Sequence, residues 1–289
     1  MLKMYIFNVG DGQCIFLKPE NDSEYCTLVD CGGRPGFFSP VNFIKSHLPV
    51  GFAEGPYLKS LILTNYDEDH FFWLPDLKRN GIKIKTVSFS KNLSSADILN
   101  SKSEITPALT EMLAIKNSYT HDVTDWNPPY EKKSFCLSKS DFSNPDSPAW
   151  TTNNLSQLVF ITYQGFTVCI PGDLQTVAWE KIINKCPDIK PLLQKTRLLI
   201  ASHHGRDNGF CQDIFSYCSP ECVIISDKPL CYGTQDHMAS VYGEQIRGQG
   251  ILFDGVQRKV LTTRNDGHIL VTVSDTGIST YSKLGDLDE

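Results

Sequence analysis

Residues 61–74 read Leu61-Ile-Leu-Thr-Asn-Tyr-Asp-Glu-Asp-His-Phe-Phe-Trp-Leu74, and they join an apolar strand to a cluster of polar side chains. The run Leu61–Leu63 predicts a buried strand, and apolar residues resume at Phe71 in the pattern of a helix start. Between the two lie the polar residues Asn65, Asp67, Asp69 and His70. Carboxylates beside an imidazole are costly to remove from water unless a positive charge lies among them. A divalent metal ion supplies that charge, whereas the alternative interpretation is an ordinary surface turn.

Two further predicted strands also end in residues that bind metals. The strand Phe166–Ile170 leads directly into Pro171-Gly-Asp173, and the strand Arg197–Ala201 leads into Ser202-His-His-Gly205. Taken singly, Gly-Asp is usually a turn and a His pair beside Gly often opens a helix. Ligands that converge from separate strand ends at one edge of a sheet commonly build catalytic metal sites. The sequence therefore predicts a metal site formed by Asp67, Asp69, His70, Asp173, His203 and His204.

The composition is that of an ordinary globular protein. The chain has 289 residues, of which 40% are hydrophobic and 21% charged, and its formal net charge is −6. A negative net charge argues against a broad basic surface that coats nucleic acid, but not against a cleft that handles one phosphodiester locally. None of the ten cysteines forms a CxxC pair, which disfavours a zinc ribbon. No apolar run approaches membrane-spanning length and no signal-peptide pattern is present, so we expect a cytoplasmic protein with reduced thiols.

The order of predicted elements indicates one domain over residues 1–289. Strands and helices alternate in both halves, and the last predicted feature is a hairpin that turns at Asn265-Asp-Gly267. Between about residues 90 and 148 the pattern weakens, which predicts an insertion or lid. Asp30, at the end of the third predicted strand, is expected either to orient a metal ligand or only to cap its loop. The glycines after it, Gly32 and Gly33, indicate a sharp turn or the close approach of a ligand.

These motifs, taken in order, resemble those of the metallo-β-lactamase fold superfamily and, more narrowly, the hydrolase domain of the DNA-uptake competence protein ComEC. The resemblance covers nearly the whole chain. Thr64-Asn-Tyr-Asp-Glu-Asp-His70 falls on the metal motif of that branch, His-x-Asp-x-Asp-His, and Ser202-His-His-Gly205 matches its His-His-Gly. The remaining matches are Phe7–Cys14, Leu28–Gly33, Asn153-Asn154 with Gly172-Asp173, and Thr262–Gly267. The resemblance implies a four-layer αββα sandwich in which two mixed sheets carry helices on their outer faces.

The chain departs from the pattern of that branch at its first metal site. Asn65 stands where the motif has its first histidine, and Phe71-Phe72 replaces the usual Gly-Gly. The resemblance would place Asn65, Asp67 and Asn153 or Asn154 in that first site, which is therefore weak and lacks imidazole. Asp69, His70, Asp173 and one histidine of the pair still complete a second site. Oxygen-rich sites favour Mn²⁺ or Mg²⁺, with Zn²⁺ as the alternative.

The function implied by the resemblance is hydrolysis of a phosphodiester in DNA through a metal-activated water. Asp69 is then the ligand that orients the water, and Arg206 contacts phosphate. The proton for the leaving group comes from His237, or from whichever of His203 and His204 is not a metal ligand. The residues themselves support only a metal-dependent hydrolase. Two alternatives stay open at this point. One is a hydrolase of small esters or phosphodiesters, and the other is a non-catalytic subunit that kept the fold and binds a protein partner.

Overall fold

The structure is a computed structural model that describes residues 1–51, 55–121, 123, 127–143, 149–229, 237–285 and 287. Its strands are, in chain order, β1 (Leu2–Ile6), β2 (Ile15–Pro19), β3 (Thr27–Val29), β4 (Val50–Gly51), β5 (Gly55–Ile62), β6 (Lys83–Ser88), β7 (Glu131–Phe135), β8 (Leu158–Tyr163), β9 (Phe166–Ile170), β10 (Thr196–Ile200), β11 (Cys222–Ile225), β12 (Ile251–Phe253), β13 (Val256–Arg258), β14 (Val260–Thr262), β15 (Ile269–Val273) and β16 (Ser279–Lys283). Its α-helices are α1 (Val41–His47), α2 (Leu74–Arg79), α3 (Ser95–Asn100), α4 (Pro107–Ser118), α5 (Thr176–Lys185), α6 (Ile189–Lys195), α7 (Met238–Glu244) and α8 (Thr263–Asp266).

The strands form two mixed sheets. The first has the order β13-β12-β16-β15-β1-β2-β3-β5-β4, with β6 beside β5, and the second has the order β14-β11-β10-β9-β8-β7. In the first sheet β3, β5 and β6 are parallel, and in the second β9, β10, β11 and β14 are parallel. Because parallel strands end at the same edge of a sheet, the segments that follow them lie together at that edge. The predicted ligands belong to these segments.

Successive side chains along a strand face different layers of the sandwich. In β1, Met4 and Ile6 face the apolar core between the two sheets, whereas Tyr5 belongs to the outer core under the helices. Helix α1 covers this outer face, where Phe43 packs edge-on against Tyr5 at 5.1 Å between ring centroids. On the other side, α6 contacts β9 and α7 contacts β11 and β14. This arrangement confirms the predicted sandwich of two mixed sheets between outer helices.

One sequence prediction about the end of the chain is wrong. The segments 260–262 and 269–273 do not form a hairpin, because β14 pairs with β11 in the second sheet and β15 pairs with β1 in the first. Asn265-Asp-Gly267 lies instead at the end of the short helix α8. Asp266 fixes this helix, since its carboxylate accepts the amide of Thr262 at 2.7 Å and both guanidinium nitrogens of Arg258 at 2.9 and 3.1 Å. The Asn-Asp-Gly signal thus marks a crossing between sheets.

The weakly patterned segment from residue 90 to 148 contains regular elements in its described part. Helix α4 buries Leu109 and Met112 in the outer core, and β7 pairs with β8 at the edge of the second sheet. That this segment closes over a site stays a prediction. Within the described residues, no helix combines the length and the apolar character needed to cross a bilayer.

Candidate metal centre

Three strand ends bring together the side chains of Asp69, His70, Asp173 and His204. Asp69 and His70 lie in a 3-10 turn that follows β5, Asp173 follows β9, and His204 follows β10. One ligand atom from each of these four residues lies within 4.8 Å of the other three. The cluster contains four of the six metal ligands predicted from the sequence, and it could hold a single divalent ion.

Asp173 occupies the middle of this cluster. Its Oδ1 lies 3.0 Å from Nε2 of His70 and 3.4 Å from Nε2 of His204. His204 Nε2 also lies 3.5 Å from Oδ2 of Asp69, so that one imidazole nitrogen faces two carboxylates. His70, Asp173 and His204 are buried, and Asp69 is the partly exposed member. Two carboxylates and two imidazoles in this arrangement fit a divalent cation that accepts both oxygen and nitrogen ligands.

The backbone of His203 and His204 adopts an unusual conformation that aims the second imidazole into the cluster. Both residues are left-handed, with φ of 51° and 54°, and Gly205 follows at 71°. Consecutive non-glycine residues in this region are strained, and such strain is concentrated at functional sites. The His204 ring is held by Nδ1, which donates to the carbonyl of Ser226 at 3.0 Å. In a neutral ring this bond leaves Nε2 as the acceptor nitrogen, the form that binds a metal.

Asp30 holds His70 from the side opposite Asp173. Its buried carboxylate lies 2.8 Å from Nδ1 of His70 and accepts the amide of Thr64 and the side-chain amide of Gln13, each at 2.7 Å. Burial by itself lowers the pKa of His70, but the carboxylates of Asp173 and Asp30 outweigh it and raise that pKa well above its usual value. The pocket around His70 therefore favours positive charge. Of the two roles foreseen for Asp30, these contacts support the orientation of His70.

Asp173 and Asp69 respond differently to the same surroundings. Burial opposes ionisation of Asp173, but the nearby His70 and His204 lower its pKa below the ordinary value. For Asp69 burial is the largest effect, and it raises the pKa in spite of the same two imidazoles. The centre therefore stabilises a carboxylate at Asp173 more strongly than at Asp69.

Two glycine loops support the backbone of the turn that contains Asp69 and His70. A Cβ atom on Gly32 would lie 1.7 Å from the carbonyl oxygen of Asp69, and one on Gly12 would lie 2.5 Å from it. The amides of Gln13 and Gly33 donate to that same oxygen at 3.1 and 3.2 Å. For Gly32 and Gly33 the sequence predicted either a sharp turn or the close approach of a ligand, and at Gly32 it is the backbone of Asp69 that approaches.

The residues of the expected first metal site bond to one another. The Asn65 side-chain amide donates to Oδ1 of Asn153 at 3.0 Å, and Oδ1 of Asn65 accepts the amide of Asp67 at 3.0 Å. The Asp67 carboxylate accepts the hydroxyl of Thr152 at 3.0 Å and forms an ion pair with Lys102. Asp67 lies outside the four-residue cluster, and Asn154, which follows Asn153 in sequence, is buried. While the ammonium of Lys102 is paired with Asp67, these residues do not fit a second divalent ion.

The remaining predicted residues are His203, Arg206 and His237. His203 Nε2 lies 3.1 Å from the guanidinium of Arg206, and its Nδ1 lies 2.8 Å from Oδ1 of Asn208. Burial, assisted by the nearby guanidinium, lowers the pKa of His203, so it is a neutral acceptor for Arg206. His237 is exposed at the start of α7. The predicted loop before it, residues 232–236, lies outside the described residues.

A cavity of about 520 Å³ opens above the cluster. Its lining includes Arg34, Asp67, Asp69, Asp173, His203 and Arg206. Sequence reasoning missed Arg34 and Lys102. Arg34 directly follows Gly33 at a strand end, a position that could have drawn attention to it, whereas Lys102 belongs to the weakly patterned segment and carries no signal in the sequence.

Comparison with known proteins gives distant similarities, and no family model matches the chain. ComE operon protein 3 of Bacillus subtilis (strain 168) is 23% identical over 231 residues, which are 76% of this chain. The matched region spans only 28% of that relative's length. Among solved structures, the metallo-β-lactamase fold protein YhfI from Bacillus subtilis is 13% identical, with a TM-score of 0.44 and coverage of 96% of this chain and 99% of that one.

A second solved structure is Zn²⁺-bound PqqB from Methylobacterium extorquens. It is 12% identical with a TM-score of 0.42, and the alignment covers 69% of this chain and 72% of PqqB. The evidence for the fold is the architecture of the chain itself. Two mixed sheets lie between outer helices, and the residues of the candidate metal cluster follow β5, β9 and β10. From this arrangement we conclude that the chain has the metallo-β-lactamase fold.

Proposed function

We propose that the chain is a metal-dependent hydrolase that cleaves phosphodiester bonds in DNA. The four-residue cluster beside an open cavity carries this proposal, because it combines ligands for a divalent ion with space for a substrate. Similarity to ComE operon protein 3, and of the motifs to the ComEC hydrolase domain, supports the choice of DNA. The cytoplasm is the proposed location.

Asp69, His70, Asp173 and His204 would hold the ion. A mixture of imidazole and carboxylate ligands suits Mn²⁺ or Zn²⁺ better than Mg²⁺, which prefers oxygen alone, and the equal share of carboxylates leads us to choose Mn²⁺. When bound, such an ion polarises a phosphoryl oxygen and lowers the pKa of water. Asp30 keeps the His70 ring oriented through Nδ1, and Ser226 does the same for His204.

The side chains of the cavity supply the other functions. Asp69 is the ligand most open to the cavity, and it orients the attacking water. Arg34 and Arg206 lie in the lining and bind phosphate oxygens, for which the planar guanidinium is well suited. Hydrogen bonding to His203 fixes the guanidinium of Arg206. His237, which is exposed at the start of α7 and is not among the residues that line the cavity, is proposed from the sequence alone to donate the proton to the leaving oxygen.

We expect the protein to contact the phosphates of its substrate only at this cavity and not along an extended basic surface. The densest basic run of the sequence, residues 78–85, is partly neutralised by acidic neighbours. Lys78 pairs with Glu111 at 2.7 Å, and Arg79 pairs with Asp76. Paired surface charges of this kind do not form a track for nucleic acid, so we expect contacts with only a few phosphates and a weak dependence on salt.

The test compares three substrates with the Mn²⁺-loaded protein: labelled single-stranded DNA, bis(p-nitrophenyl) phosphate and p-nitrophenyl acetate. We expect cleavage of both phosphodiesters, and a loss of roughly 10-fold on DNA in Arg34→Ala, which corresponds to about one charge-assisted hydrogen bond. Arg247→Ala, an exposed arginine outside the cavity lining, is the control and should keep full activity. Cleavage of the acetate alone would replace the nuclease with a small-ester hydrolase, and inactivity on all three would favour a binding subunit.

A further inference from the structure

We propose that the ammonium group of Lys102 takes the place of a second metal ion, so that the centre binds one metal ion per chain. This inference rests on the proposed function, because it concerns the same metal-dependent site. Lys102 belongs to the segment between residues 90 and 148 and lies 35 residues away in sequence from its partner Asp67. In two-metal hydrolases a second cation helps to stabilise the attacking and leaving oxygens, and here the chain supplies a positive charge of its own next to Asp67.

The contacts of Asp67 carry the proposal. Its Oδ1 is the acceptor for both the Lys102 ammonium and the hydroxyl of Thr152. Asp67 lines the cavity, and the side chains of Lys102 and Asp67 are only 18% and 31% exposed, so the ion pair is partly withdrawn from bulk water. An ion pair withdrawn from bulk water is screened less than a surface pair, which strengthens the attraction between its members.

The backbone before Lys102 fixes its position. Helix α3 begins at a capping box in which Ser94 and Asp97 bond reciprocally, and it ends just before Ser101. The amide of Lys102 then donates to the carbonyl of Leu99 at 3.1 Å. The lysine therefore extends toward Asp67 from a helix end that is defined by local hydrogen bonds.

The neighbours of Asp67 are engaged in hydrogen bonds with one another and with the backbone. The side-chain amide nitrogen of Asn65 donates to Oδ1 of Asn153 at 3.0 Å. The side-chain oxygen of Asn65, Oδ1, accepts the backbone amides of residues 66 and 67. A metal at this position would have to break these bonds and would be repelled by the ammonium, whereas the Asp69–His204 cluster shares no residue with the pair.

The test measures how many Mn²⁺ ions each chain binds. Metal-stripped protein is saturated with Mn²⁺, desalted and analysed by mass spectrometry, and the electron paramagnetic resonance spectrum separates an isolated ion from an adjacent coupled pair. We expect one ion per chain in the wild type and in Lys102→Arg. We expect two ions and a coupled spectrum in Lys102→Ala, because Asp67 is then a carboxylate without its cation.

Two controls sharpen the measurement. The double variant Lys102→Ala/Asp67→Asn should return to one ion, since the added metal depends on the freed carboxylate. Lys139→Ala removes another lysine of the same segment, which pairs with Asp97 at 2.7 Å, and should stay at one. Two ions in the wild type, or one in Lys102→Ala, would overturn the role of Lys102 while the hydrolase proposal stands. A wild type that binds no ion would instead overturn the proposed function.

Discussion

Replacing Asp173 with alanine is expected to lower the affinity for Mn²⁺ by more than about 100-fold. Loss of a group that only orients a ligand typically costs about 10- to 100-fold in metal affinity, and loss of a ligand itself should cost more. We expect the largest loss of Mn²⁺ affinity at Asp173 because its Oδ1 lies close to both imidazoles, at 3.0 Å from Nε2 of His70 and 3.4 Å from Nε2 of His204. Hydrolysis should fall with metal occupancy.

Isothermal titration of metal-stripped protein with Mn²⁺ measures this change. Asp188→Ala is the matched control, since Asp188 is exposed at the start of α6 and its side chain makes no capping bond. Far-ultraviolet circular dichroism shows whether each variant is folded. Folded Asp173→Ala protein with wild-type affinity would exclude Asp173 from the metal centre.

Arg264→Ala is expected to destabilise the protein by about 3–5 kcal/mol at pH 8, the cost of breaking a buried ion pair from one side. The Arg264 side chain is 10% exposed and that of its partner Asp227 is 1% exposed, with the nitrogen and oxygen 2.5 Å apart. This pair joins the end of β11 to helix α8, where Thr263 also bonds to the backbone of Asp227 in both directions. The loss should appear in chemical denaturation of the metal-free protein.

The same variant has a predictable dependence on pH. Burial raises the pKa of Asp227 to about 7 although Arg264 acts in the opposite direction, so loss of the arginine raises it further. A carboxyl with a raised pKa keeps its proton in the folded state when the unfolded chain has lost it, and stability therefore falls as pH rises from about 4 toward the folded pKa. The deficit of Arg264→Ala should be larger at pH 8 than at pH 5.

Two variants control this experiment. Asp227→Asn/Arg264→Ala should recover part of the stability at pH 8, because no unpaired carboxylate is buried. Arg79→Ala breaks an exposed pair with Asp76 and should leave stability nearly unchanged. An Arg264→Ala protein as stable as the wild type at pH 8 would show that the buried pair does not hold β11 and α8 together.

The residues of the candidate metal centre were predictable from the sequence because they lie in segments that follow strands. An apolar run that ends in Asp173 or in His203-His204 locates those side chains at a sheet edge, and parallel pairing then brings the edges together. The orientation of each side chain was not predictable in the same way. The structure, with its left-handed backbone at residues 203 and 204, places His204 in the cluster and His203 against Arg206.

Contacts between distant segments could not be predicted from local pattern. Lys102 pairs with Asp67 from a segment in which the hydrophobic periodicity is weak, and the residues next to Lys102 in sequence do not predict that contact. The prediction of a hairpin that turns at residues 265–267 was wrong for a related reason. Asn-Asp-Gly specifies a local turn, but the partners of Asp266, namely Thr262 and Arg258, fold it into a helix between strands of different sheets.

Metal-dependent cleavage of DNA is the most direct measurement of what this centre does. Metal-stripped protein is incubated with end-labelled single- and double-stranded DNA after addition of Mn²⁺, Mg²⁺ or Zn²⁺, and Asp69→Ala/His70→Ala runs beside the wild type. We expect cleavage that requires the ion, is fastest with Mn²⁺ and is lost in the double variant. Cleavage that persists without metal, or in the double variant, would contradict a metal-dependent nuclease centred on Asp69, His70, Asp173 and His204.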